Sequence, residues 1–204
     1  MRRREQTSKV NTRSEKGLAT RDRIVSAATR LFTAAGYEGT SIEDLLGELQ
    51  ISRGALYHHF NGKEELFEAV LERVEADIAQ VTKDATAGIS DPVIALRTGV
   101  DAFLRMARDE TVKRIVLIDA PAVLGWEKWR EIDARHGFGL MKASLKAAAK
   151  KKRLRAELIE IYAHILLAGV METALVIARA DDSEKATRNG RTAIAELISK
   201  LLDA

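Results

Sequence analysis

The chain has no cysteine, which excludes disulfides, thiolate catalysis and cysteine-ligated zinc. Only two prolines occur in 204 residues. Runs of β-branched residues are few and Ala, Leu, Glu, Arg and Lys are abundant, so helix is favoured throughout. The greasiest segment, Ile161 to Met171, is interrupted by His164 and bounded by Glu160 and Glu172. It falls short of the ~20 apolar residues of a membrane helix and reads as a buried helix. Arg2, Arg3 and Arg4 are followed by polar residues rather than the apolar stretch of a secretory signal. Also missing are a nucleophile elbow, HExxH, a glycine-rich phosphate loop and a paired-carboxylate motif. An enzyme built on His136 or His164 is therefore the least favoured class, and no cofactor is expected.

What remains is 46% apolar and 31% charged, ordinary for a soluble chain that buries a core. Charge is uneven. Residues 1–63 carry 11 Lys/Arg against 7 Asp/Glu, a net of +4, and the rest carry 22 against 23, a net of −1. A basic N-terminal unit is the electrostatic footprint of nucleic-acid binding.

The pattern predicts an all-α fold of about nine helices. Residues 1–19 are polar and expected to form a disordered basic tail, with Arg2–Arg4 as a conceivable minor-groove arm. A first helix starts at Thr20, puts Ile24, Ala28, Leu31, Phe32 and Ala35 on one face, and stops at Gly36. Thr40-Ser41-Ile42-Glu43 fits a capping box with Thr40 as N-cap. It opens a second helix striped by Ile42, Leu45, Leu46 and Leu49. After Gln50-Ile51, Ser52 caps a third helix ending near Phe60. Asn61 then caps a fourth, with Glu64 three residues on and Leu66, Val70, Leu71, Val74 and Ile78 facing inward. Further helices are expected at Val93–Arg108, Thr111–Asp119, Trp126–Lys150 (kinked near Gly137 and Gly139), Leu154–Arg179 and Ser183–Leu202. The domain reading is 1–19 tail, 20–66 helix-turn-helix, and 67–204 a larger helical domain.

The second and third helices meet at a tight connection, the form of a helix-turn-helix whose second member enters the major groove. On the third helix Leu56 and Phe60 share an inward face, which leaves Arg53, Gly54, Tyr57, His58 and His59 outward. Arg53 in the first turn can pair bidentately with guanine. Gly54 and Ala55 let the backbone approach base edges. Tyr57, His58, His59 and Lys63 suit phosphate contacts. Metal binding by His58 and His59 is not expected, because adjacent helix positions diverge by about 100° and no acidic partner is spaced for it.

These residues carry a resemblance. Ala27-Ala28-Thr29-Arg30-Leu31-Phe32, Gly36-Tyr37, Thr40-Ser41-Ile42, Ser52-Arg53-Gly54-Ala55-Leu56-Tyr57-His58-His59-Phe60 and Lys63-Glu64-Glu65-Leu66 resemble the tetracycline-repressor (TetR/AcrR) family over about residues 20–75. The resemblance implies a three-helix DNA-binding head, a divergent ligand domain, and a dimer built through the last two long helices. It also implies DNA contacts from Thr40, Ser41, Arg53, Gly54, Tyr57, His58 and Lys63. One departure is Leu49-Gln50, where many relatives have a small residue and then glycine. A left-handed conformation at Gln50 would cost about 1–2 kcal/mol that glycine avoids.

The function expected is a cytoplasmic, nucleoid-associated repressor released from a palindromic DNA operator by a small-molecule effector that tilts the fourth helix. An activator or ligand-independent regulator is the alternative. Candidates to line an effector pocket are Phe103, Met106, Trp126, Trp129, Phe138, Met141, His164, Leu167 and Met171. Trp126 and Trp129 either anchor the middle helix or stack on a ligand, and His164 is either a core residue or a ligand contact. Asp119, Arg135 and His136 could orient a polar ligand group. The basic run Lys150–Arg155 reads as a solvated loop. A homodimer is expected through 154–179 and 183–202. There Leu158, Ile161, Ile165, Ala168 and Leu175, with Ala193, Ile194, Leu197, Ile198 and Leu201, exceed what one packing partner covers.

Overall fold

The computed structural model describes residues 2–202, with side chains from Gly17 onward. It is helical, with no strand among the described residues. The helices are α1 (Arg2–Gly39), α2 (Ile42–Leu49), α3 (Arg53–Tyr57), α4 (Lys63–Thr86), α5 (Pro92–Met106), α6 (Ala120–Val123), α7 (Gly125–Arg135), α8 (Gly137–Lys150), α9 (Ile159–Arg179) and α10 (Ser183–Leu202). A π-helical segment, Val112–Asp119, precedes α6, and a short 3₁₀ turn, Ala156–Leu158, leads into α9. The chain divides into two compact units, one up to Val70 and one from Leu71 on. The sequence-based boundary at 66/67 lies in the same helix, α4.

In the first unit, α1 begins well before the expected Thr20. Residues 2–19 contain no proline and one glycine, and extending an existing helix costs far less than nucleating one. The side chains of 2–16, the Arg2–Arg4 arm among them, lie outside the described residues. Gly36 breaks the helix at φ 76°, ψ 173°, a conformation that glycine adopts freely. The core is Ile24, Ala28, Phe32, Leu45, Leu56, Phe60, Leu66 and Phe67, all buried. Phe32, Tyr37 and Phe67 pack ring against ring at 5.2–5.8 Å.

Helix α2 starts one residue later than expected. Ser41, not Thr40, is the N-cap: its hydroxyl accepts from the Asp44 N–H at 3.1 Å, and its own N–H donates to Asp44 Oδ2 at 2.7 Å. Thr40 is buried instead, its hydroxyl 2.8 Å from the Gly36 carbonyl. The partner of Asn61 is likewise Glu65, four residues on, rather than Glu64.

In the second unit, α5 packs against α8 and α10, and α9 against α8 and α10. The expected helix Trp126–Lys150 is two helices, broken at His136 (φ −119°, ψ −106°). The break brings the chain back on itself so closely that a Cβ at Gly139 would lie 2.9 Å from the Ala134 carbonyl oxygen, a position that glycine fits. The strand-like run Ile115-Val116-Leu117-Ile118 is helical, of the wider π type. The apolar helical stretch is longer than Ile161–Met171. It covers Ala156–Arg179, 24 residues, enough by length and composition to cross a membrane. One face of α9 buries Ala163, Leu166, Leu167, Val170, Ala174 and Ile177 against its neighbours, while a third of its most apolar window in all is buried.

Gln50 closes α2 in the left-handed conformation, φ 53° and ψ 42°, with its side chain exposed. Glycine should occupy this position without the steric cost and lose no contact. Gln50→Gly is therefore expected to stabilise the protein by about 1 kcal/mol, read as a higher urea midpoint. An unchanged or lower midpoint would show the backbone to be unstrained there.

Candidate nucleic-acid interface and effector cavity

Helix α3 follows its Ser52 cap, whose hydroxyl accepts from the Ala55 N–H at 3.2 Å. It is regular only from Arg53 to Tyr57, about 7–8 Å of helix, shorter than the span to Phe60 expected. The chain then tightens: His59 N–H donates to the Leu56 carbonyl at 2.9 Å and Phe60 N–H to the same oxygen at 3.1 Å. Leu56 and Phe60 are buried, and the opposite side offers Arg53, Gly54, Tyr57 and His58 to solvent, with Ala55 and His59 half-buried. The His58 and His59 rings sit edge to face at 5.2 Å. The Arg53 guanidinium bonds Glu43 of α2 and also the Tyr57 hydroxyl, which raises its already high pKa. Lys63 is committed inward. Its ammonium donates to the Tyr37 carbonyl at 2.8 Å and the Thr40 carbonyl at 3.0 Å, and lies 4.0 Å from the Tyr37 ring centroid.

The second unit encloses a cavity of about 200 Å³. Its walls are mostly apolar: Ile78 from α4, Leu96, Val100 and Phe103 from α5, Met141 from α8, and Leu167, Val170 and Met171 from α9. One end is polar, with Glu75 of α4 and Asp133 of α7. Both are buried, and burial pushes Glu75 up to about 8 and Asp133 up to about 6. The charge of Asp133 raises Glu75 further, whereas Arg130, 3.6 Å away, opposes the shift of Asp133. Nearby Glu72 bonds Arg135 and His136, each at 2.7 Å.

Known proteins share this arrangement. The family described as "Bacterial regulatory proteins, tetR family" matches residues 24–70. The family described as "Tetracyclin repressor-like, C-terminal domain" matches residues 93–201, more than half of the chain. The chain belongs to the tetR family. Its members are DNA-binding transcriptional regulators, and this chain is such a regulator. It is 27% identical over 171 residues to the transcriptional repressor NicS of Pseudomonas putida, covering 81% of this chain and 80% of that one. A tetR-family regulator from Pectobacterium atrosepticum superposes with a TM-score of 0.77 at 28% identity, covering 92% of this chain and 96% of that one. RolR, crystallised with resorcinol, superposes at 0.70 with 15% identity over 93% of this chain and 94% of its own, a likeness of fold alone.

Against this tetR frame the expected site residues divide. Ser41, Arg53, Gly54, Ala55, Tyr57, His58 and His59 gather on the outer side of α2 and α3. Thr40 and Lys63 do not, because both spend their polar atoms on the end of α1. Of the pocket candidates, Phe103, Met141, Leu167 and Met171 line the cavity. Met106, Trp126, Trp129, Phe138 and His164 do not. Trp129 is buried elsewhere, as an anchor of α7, while Trp126 is 63% exposed with Arg130 stacked on it at 4.3 Å. Phe138 is buried against His164, itself exposed and 3.4 Å from Glu160. Asp119 pairs with Arg114 at 3.2 Å. The sequence reading passed over Glu75 and Asp133. A signal for Glu75 exists: it falls on the inner stripe Leu71, Glu75, Ile78, Thr82 of α4.

Because folding raises the Glu75 pKa, the folded chain holds a proton that the unfolded chain releases above its usual value of 4.5. Stability from this group is full below that value and declines as pH rises toward about 8. Glu75→Gln should flatten the decline and stabilise the protein at the upper end by on the order of a few kcal/mol. Urea melts at both ends of the range test this, and parallel pH profiles for the two proteins would refute it.

Proposed function

We propose that this chain is a homodimeric repressor that binds a palindromic operator through α3 and is released when a small molecule fills the cavity. The observation that carries the reading is the pairing of two features. One is an outward helix-turn-helix face with Arg53 and Gly54 in the first turn of α3. The other is an apolar cavity with a polar end, lined by Glu75, Ile78, Thr82 and Thr86 of α4. Helix α4 begins at Lys63 in the DNA-binding unit and is continuous to Thr86, so a ligand against its second half acts on the element that carries the first. NicS, named a repressor, supports the sign of regulation, and RolR with resorcinol supports a small effector. We infer the cytoplasm, on the nucleoid, as the place of action.

In this reading Arg53 reads a guanine once Glu43 yields it, Gly54 and Ala55 admit the backbone to the groove, and Ser41, Tyr57, His58 and His59 contact phosphates. Selection of bound duplexes from genomic fragments should enrich a palindrome. Arg53→Ala should weaken its binding by about 1–3 kcal/mol and relax one base position in each half-site. Enrichment without consensus, lost steeply as salt rises, would mean backbone binding only and would end the repressor reading.

The dimer rests on an apolar face within the second unit. Ile161, Ile165, Ala168 and Val176 of α9 and Leu197 of α10 are exposed. Ala193 is exposed beside them, Leu158, Leu175 and Leu201 are half-buried, and Ile194 and Ile198 belong to the chain's own core. A face this apolar on a soluble protein marks an interface, and a twofold would cover it with its own copy. Sedimentation should give twice the 22.5 kDa chain mass, and Ile165→Lys should shift it to monomer. A monomeric wild-type protein at micromolar concentration would overturn the assignment.

A further inference from the structure

Glu75 and Asp133 line the polar end of the cavity with Glu72 close behind, and two of these three acids have basic partners. Glu72 is held by Arg135 and His136, and Asp133 faces Arg130 at 3.6 Å. Glu75 has none. It is 4% exposed, lines the cavity, and makes no hydrogen bond or ion pair among the described residues. A second acceptor lies nearby: Asp133 Oδ2 is buried without a hydrogen-bond partner, with Arg130 beyond hydrogen-bond reach at 3.6 Å. A buried acid left without a donor is costly, and the cost disappears when a partner brings hydrogens and a compensating charge. No side chain does so here, and the space beside Glu75 is open.

We propose that the cavity takes a small apolar primary amine, its ammonium seated on Glu75 and Asp133 and its hydrocarbon body among Leu96, Phe103, Met141 and Leu167. An ammonium offers three N–H donors, enough for both carboxyls, which a quaternary nitrogen cannot match. An anion would set a further acid against Glu75 and Asp133 and bring no N–H donor to either, so it is disfavoured. The body is limited by space. An apolar cavity of about 150 Å³ holds benzene, so about 200 Å³ takes one ring on a short chain. Phenethylamine has these dimensions.

The cation must meet a carboxylate, so binding moves the Glu75 proton to solvent. The groups facing Glu75 are Glu72 on its own helix, and Arg130, Asp133, Arg135 and His136 from α7 and its end. The first acid and the two last bases already neutralise one another, which leaves Glu75 as the group that titrates on binding. The amine stays protonated well above neutrality, so affinity should rise with pH until Glu75 is ionised in the free protein.

This inference rests on the cavity being the effector site, and the test is made on the full chain without DNA, so that operator recognition plays no part in it. Calorimetry compares 2-phenylethylamine, 2-phenylethanol and 3-phenylpropionate. The amine should bind about tenfold or more tightly than the alcohol, with the acid weakest. It should release a proton, seen as a heat that changes between phosphate and Tris buffers. Glu75→Gln, which the stability argument expects to fold at least as well, should abolish proton release and level the amine and the alcohol. Preference for the alcohol or the acid, or no binding by any of the three, overturns the proposal. An amine that binds as described but leaves the operator complex intact would refute the effector role while the amine site stands.

Discussion

Lys63 gives its ammonium to the carbonyls of Tyr37 and Thr40 and lies over the Tyr37 ring. The last carbonyls of a helix have no partner within it, and a cation there is favoured by the helix dipole. Lys63 meets that need at the end of α1 from the first residue of α4. The Thr40 carbonyl it holds directly precedes Ser41, the cap of α2, so the same contact sets where α2 begins. Helix α2 in turn holds Arg53 through Glu43. The order of dependence runs from one ammonium to the end of α1, the start of α2, and then the residue that would face a base. The exposed pair Arg30–Glu48 at 2.8 Å also joins α1 to α2, but two solvated side chains hold each other by at most about 1 kcal/mol.

The second unit is organised by the opposite circumstance, a buried acid without a partner. Its walls are packed like any helical core, and Glu75 on α4 is the exception. A leucine there would pack without electrostatic cost, and a surface glutamate would be solvated. Glu75 has neither advantage, so the native state is destabilised progressively toward alkaline pH. The neighbouring pairs sharpen the contrast: Glu72 and Asp133 face bases, and Trp129 Nε1 and Arg130 NH1 are buried without a hydrogen bond. At the polar end of the cavity, Glu75 and the unsatisfied Asp133 Oδ2 mark a place where the fold gives up stability for something other than folding.

Much of this was legible in the sequence. Periodicity marked the helices because a buried stripe at i, i+3, i+4 and i+7 is a direct product of helix geometry, and Gly36 and Ser52 marked ends because their chemistry permits little else. The motif from Ser52 to Phe60 marked the outward face of α3 for the same reason. Register was less legible. Thr40 and Ser41 both fit an N-cap by type, and the choice depends on the Gly36 carbonyl that folding brings to Thr40. Lys63 looked like a phosphate contact because its acceptors are more than twenty residues away in sequence. Trp126 and Trp129, three apart, share a face and meet edge to face at 5.0 Å, yet Trp129 is buried and Trp126 is 63% exposed, a difference that spacing alone does not show. Glu75 could have been found on the α4 stripe, but its lack of a partner is a property of the assembled core.

Helix α4 supplies Glu75, Ile78, Thr82 and Thr86 to the wall of the cavity. A Cβ at Gly99 of α5 would lie 3.1 Å from the Thr82 methyl and 3.5 Å from that of Thr86, so α4 and α5 are in close contact there and the second half of α4 has little freedom. Glu75 stands seven residues toward the N-terminus, about 10 Å along the axis, and Lys63 nineteen, about 28 Å. A ligand shifts the placement of a helix only by the difference in its affinity for the two placements. The apolar lining of the cavity is shared among α4, α5, α8 and α9, so contact with it favours no single wall. Glu75 lines the cavity from α4 alone and has no hydrogen bond or ion pair among the described residues, so a group that pairs with it bears on α4 in particular.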